Sequence, residues 1–254
     1  MLIFLRSIPW MIGVACAGGF FLVTRDVSLF VPVVLTLFVL LGFFYARLID
    51  LPRNDFGFWN FFLVPMVLLL ASVFFFIFLE EPRSMLLLGG VLTVLELIYA
   101  EHLFAYFHQP SRYRVYTIER ISLVLSVVTS FLMASSLFGL LILLQLPLWM
   151  IAPVFFLFST FMVYGVLWVS KVDSARSATS SLLGGIVLTE VFIALSFLPV
   201  AHTTGAGLLT VFLYFFLGMS RADFMDRLTR QVFLRYLFFT FVVLAVILLT
   251  AKWV

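Results

Sequence analysis

Apolar runs longer than about 18 residues recur along this chain, and a run of that length is what crossing a bilayer as a helix demands. The 254 residues are 65% hydrophobic and only 11% charged, a balance far outside that of a soluble domain. A β-barrel would need short segments alternating between apolar and polar, whereas these runs are apolar on every side. The sequence therefore predicts an all-α polytopic membrane protein of about nine transmembrane helices with short loops, a single integral membrane domain over 1–254.

Taken in order, the runs cover residues 7–24, 27–49, 58–79, 85–108, 121–145, 148–169, 182–200 and 207–219, and a ninth ends at Ala251. The first resembles a secretory leader with Gly13-Val14-Ala15-Cys16 as a cleavage box. The box lacks the usual leucine and the residues after Cys16 stay apolar, so the run is read as a membrane helix. Pro65 is expected to kink the third run. Residues 170–181, SKVDSARSATSS, read as a connector or as the capped start of the seventh run. Residues 220–236 place Asp223 four before Arg227 and Asp226 four before Arg230. That spacing predicts an amphipathic interfacial helix, with Arg221, Arg227, Arg230 and Arg235 facing lipid headgroups.

The net charge of +3 is spread over short loops, without the clustered stripe that nucleic acid requires. If every run crosses, alternate loops hold twelve and three of the lysines and arginines. The basic side includes Arg6, Arg112 and Arg114, and the other consists of Arg25, Arg83 and Lys252. The positive-inside rule then puts the N-terminus in the cytoplasm and the C-terminus outside, in a cytoplasmic (inner) membrane. The single Cys16 excludes an internal disulfide framework.

Ionisable residues inside such runs are costly and mark function by default. Glu96 falls near the middle of run 85–108. At about 100° per residue, Tyr99, His102 and Tyr106 lie to the same side of it, while Glu101 and His108 lie together on the other. Glu101 is close enough to the helix end to snorkel toward Arg112 or Arg114. Glu190 is the other deep carboxyl. No lysine or arginine shares the depth of Glu96 or Glu190, which suits a proton or cation relay through Glu96, Glu190, Tyr99, His102 and Glu101. The alternative is that these groups serve packing only. Leu-Gly-Gly recurs at Gly89-Gly90 and Gly184-Gly185, a weak signal of inverted repeats of helices 2–4 and 5–7 or simply of close helix packing.

Enzyme signatures are sparse. Phe104 and His108 have the Phe-x-x-x-His spacing of intramembrane prenyl-protein proteases, but Glu80-Glu81-Pro82-Arg83 does not supply that family's Glu-Glu-x-x-x-Arg. No His-Glu-x-x-His, nucleophile elbow, P-loop or Cys-x-x-Cys occurs. Three expectations follow. The first is a small ion- or proton-coupled transporter with a buried carboxylate site; the second, a non-catalytic membrane subunit or assembly factor of a larger complex. The third is a metalloenzyme at the membrane rim using Glu101, His102 and His108. Membrane lipids, a small ion or solute and a membrane-protein partner are the expected ligands. Catalytic residues, a metal and a cofactor are not expected.

Overall fold

The computed structural model describes residues 2–111, 113–114 and 116–251, so Arg112 and Lys252 of the basic split lie outside the described residues. Among the described residues nine α-helices follow one another: α1 (Leu2–Arg25), α2 (Phe30–Leu48), α3 (Phe56–Phe76), α4 (Pro82–His108), α5 (Thr117–Leu143), α6 (Leu148–Val169), α7 (Ser174–Ser196), α8 (His202–Phe224) and α9 (Arg230–Thr250). Each is long and apolar enough to cross a membrane. Helices close every backbone hydrogen bond within themselves, which hydrocarbon requires because it offers no partner. The protein is an integral, multi-pass membrane protein.

Local chemistry sets the helix ends. The Asp55 carboxylate accepts from the Gly57 N–H at 2.8 Å and starts α3, Pro82 opens α4, and the Thr229 hydroxyl accepts from the Val232 N–H at 3.3 Å to start α9. Asp26 caps a 3-10 turn over Val27–Leu29 by accepting from the Ser28 N–H, and that bond holds its carboxyl below the usual range. The polar 170–181 stretch is helical from Ser174, so α7 starts eight residues earlier than its apolar run. The eighth run, short in the sequence, is part of a 23-residue helix.

The interfacial helix expected over 220–236 is not formed. Phe224 ends α8, and Asp226 takes a left-handed φ of 52°. The Asp226 N–H donates to the Asp223 carbonyl and the Arg227 N–H to the Ala222 carbonyl, both at 2.9 Å. This pairing is a Schellman cap, which satisfies the last carbonyls of α8 and turns the chain. Backbone closure overrides ion pairs worth only a few tenths of a kcal/mol. Arg221 stays on α8, Arg227 lies in the turn, and Arg230 and Arg235 belong to α9. Lys171 makes the same cap after α6, with φ 61° and bonds from Lys171 N–H to Trp168 O and from Val172 N–H to Leu167 O.

The chain divides into two compact units, Met1–Leu125 and Ser126–Val254. In the first, α4 lies against α1 by exchange of small for large: Gly13 of α1 sits beneath Leu97, and Gly89 of α4 beneath Phe20. Phe20 also stacks on Phe76 with ring centres 5.2 Å apart. In the second unit α7 lies against α6, with Gly185 under Thr160 and Phe156 and with Phe192 stacked on Phe155 at 4.6 Å. Gly184 faces Phe216 of α8, and Gly218 faces Tyr236 of α9. Gly89, Gly184 and Gly185 therefore serve close approach of helices, which in lipid depends on van der Waals contact. Along α9 only Thr240 is buried.

Candidate functional site

Pro65 lies inside α3. A proline has no N–H to give the carbonyl four residues back, so the Phe61 carbonyl loses its ladder donor. Tyr99 of α4, fully buried, donates its hydroxyl to that Phe61 oxygen at 3.0 Å. The feature expected to bend α3 thus also opens an acceptor for α4.

Three residues earlier, Glu96 is 2% exposed and stands near the centre of α4. Tyr45 of α2, fully buried, donates to Glu96 Oε2 at 2.5 Å and also approaches the Glu96 carbonyl oxygen at 3.3 Å. The Tyr45 and Tyr99 rings lie 6.0 Å apart, closing the space around the carboxyl. The Cys16 thiol, buried on α1, is within electrostatic reach of Glu96. Among the described residues Glu96 Oε1 has no hydrogen-bond partner. The site is a buried carboxyl held at one oxygen and open at the other.

His102 does not continue this arrangement. It lines a cleft of about 600 Å³ at one end of the first unit, together with Glu101, Arg6, Gln109, Arg114 and Arg120. The arc drawn on the α4 wheel divides there: Glu96 and Tyr99 turn to α2 and α3, and His102 joins Glu101. Tyr106 packs on Phe61 and Tyr113, at 5.7 and 5.2 Å between ring centres. His108 bonds the Leu48 carbonyl through Nε2 at 3.0 Å, away from the cleft lining. Among the described residues no three His, Cys, Asp or Glu side chains group as a metal site. The rim trio Glu101, His102 and His108 is not assembled.

Glu190 lies in a different setting. It is exposed on α7, six residues and about 9 Å of rise before the helix ends at Ser196, rather than at mid-helix. It borders an outward groove of about 380 Å³ with Ile186 and Thr189 of α7 and with Ala152, Pro153 and Phe156 of α6. Thr189 gives its hydroxyl to the Gly185 carbonyl at 2.7 Å, the groove surface is apolar, and Glu190 stands exposed at its border. Pro153 also removes the ladder donor of the Trp149 carbonyl on this side of α6.

Sequence reasoning missed Tyr45 and the arginine-lined cleft. Tyr45 sits just before Arg47 and Asp50 and reads as an interfacial aromatic. Helical side chains lean toward the start of their helix, which helps an aromatic near the end of α2 reach the Glu96 carboxyl. The cleft gathers residues up to 114 positions apart, a convergence that only α4 lying against α1 creates.

Fold and site together define a multi-pass helical membrane protein with Glu96 buried on α4 and Glu190 exposed on α7. Over residues 7–250 the chain matches the family described as "Protein of unknown function (DUF5656)", and it belongs to that family. No curated protein and no solved structure matches it.

Proposed function

We propose that the protein is a non-catalytic membrane subunit whose α6–α7 groove receives a transmembrane helix of another protein, one that presents a lysine or arginine to Glu190. The observation that carries this reading is an exposed glutamate at the border of an apolar groove on a membrane-spanning helix. Such a group is costly against hydrocarbon and is relieved by a donor from a neighbouring helix. A second copy of this chain fits less well. If every helix crosses, the arginines on the same side as the end of α7 are Arg25 and Arg83, and both stand at helix ends, not deep in a span.

Cysteines at Ala152 or Ile186 should form crosslinks in native membranes to one membrane protein. Glu190→Leu should lose that product and shrink the complex in mild detergent, while Glu190→Asp should keep part of it. Crosslinks to a second copy, or an unchanged complex with Glu190→Leu, would overturn the proposal.

A small ion- or proton-coupled transporter is the second reading, and the unpartnered Glu96 Oε1 favours it. It ranks lower because Glu190 is exposed at an outward groove. The twelve-to-three basic split supports a cytoplasmic N-terminus in an inner membrane. Maleimide should then reach cysteines at the exposed Glu81 and Gln145 in intact cells, and those at Asn54 and Asp173 only after permeabilisation. The reverse pattern would invert the topology. The native Cys16 is buried and stays unlabelled.

A further inference from the structure

We infer that the cleft at the end of the first unit binds a phosphate-bearing headgroup. Three guanidinium groups reach it from separate segments: Arg6 from the start of α1, Arg114 from the α4–α5 loop and Arg120 from the first turns of α5. Among the described residues one carboxylate, Glu101, lines the same space. Arg6 is held in place from two sides. Its Nη1 donates to Gln109 Oε1 at 3.4 Å, and its guanidinium lies 5.4 Å above the centre of the Phe104 ring. Arg114 and Arg120 are exposed, so their forked donors are open to a ligand.

The wall between them is fixed. Tyr113 accepts from the Ile118 N–H at 3.2 Å and donates to Glu119 Oε2 at 3.4 Å, tying the loop to the start of α5. Burial pushes its phenol up, which keeps it the donor toward Glu119. The Thr117 hydroxyl bonds the Arg114 carbonyl at 2.8 Å, holding the backbone that carries Arg114.

Planar guanidinium forks match phosphate oxygens two at a time, and three of them against one carboxylate leave the positive excess that a phosphomonoester needs. About 600 Å³ admits a phosphate with its glycerol. Placement at the ends of three membrane-spanning helices suits an anionic lipid headgroup, and a soluble phosphate ester carries the same chemistry.

The test titrates the purified full-length chain in zwitterionic detergent with short-chain phosphatidic acid, sn-glycerol 3-phosphate and, as a control, short-chain phosphatidylcholine, following thermal shift. Binding of phosphatidic acid alone assigns the site to lipid. Binding of both phosphates assigns it to the phosphate itself, and either result supports the inference. R6Q/R114Q/R120Q should weaken binding by about 150-fold, from the attraction each arginine adds near a membrane surface. Glu101→Gln should tighten it about threefold by removing the opposing charge. Arg83→Gln, outside the cleft, should leave it unchanged and controls for total charge. Failure of both phosphates to bind, equal binding of phosphatidylcholine, or undiminished binding by the triple variant would each overturn the inference.

Discussion

Gly185→Leu should unfold the α6–α7 seam, with a loss of about 1–3 kcal/mol or more. A Cβ built at Gly185 runs into the Thr160 hydroxyl and comes within 3.2 Å of the Phe156 ring. Thr160 sits on a helix and can turn its hydroxyl aside, but the phenylalanine beside it limits the escape. Helix association in lipid rests on such contact rather than on a hydrophobic drive, so losing it is not offset by burial elsewhere. Gly90→Leu supplies the contrast, since a Cβ there meets nothing within 4 Å. It should cost less than about 1 kcal/mol, the scale of a surface change. Unfolding of both variants in mixed micelles of increasing sodium dodecyl sulfate decides the matter. Equal midpoints would remove the claim that this glycine serves packing.

Tyr45→Phe should cost about 1–3 kcal/mol, because it strips the donor from a buried carboxyl that already has one oxygen unpartnered. Glu96→Leu removes the acceptor instead, and Tyr45 keeps only its 3.3 Å approach to the backbone oxygen. With both changes the mismatch disappears, so the double variant should be more stable than the sum of its parts implies by about 1 kcal/mol or more. Strict additivity would show that the hydrogen bond carries no coupling. Glu96→Gln addresses the transporter reading separately, as it keeps size and an acceptor but cannot release a proton. If that reading holds, the variant folds and loses pH-driven uptake in proteoliposomes; undisturbed uptake ends it.

The nine helices were legible because lipid leaves one solution for an apolar run, and length alone then counts the crossings. Ends were harder to read. The eighth run looked short since His202-Thr203-Thr204-Gly205 is polar, yet a helix needs backbone closure and not hydropathy, and α8 includes those residues. The charge spacing over 220–236 described a helix that the cap at Asp226 prevents, and left-handed backbone at a non-glycine residue leaves no mark in a pattern of charges. For the candidate site, a wheel drawn on one helix placed Glu96 and Tyr99 on the same side but could not show where the neighbours stand. His102, only six residues beyond Glu96, parts from it because α2 ends nearby and the cleft opens. Glu190 read as central because its run begins at 182, whereas its helix begins at Ser174.

Pro65 and Tyr99 amount to a lock and key separated by 34 positions: the ring that cannot donate creates the vacancy that the phenol fills. Neither residue is fully explained by its own helix. A proline at 65 without a hydroxyl at 99 takes one donor from a carbonyl and returns none, and a hydroxyl at 99 without the proline must compete with a backbone amide for the same oxygen. Members of the family that exchange one should therefore exchange the other, so that the two positions are inherited as a single character.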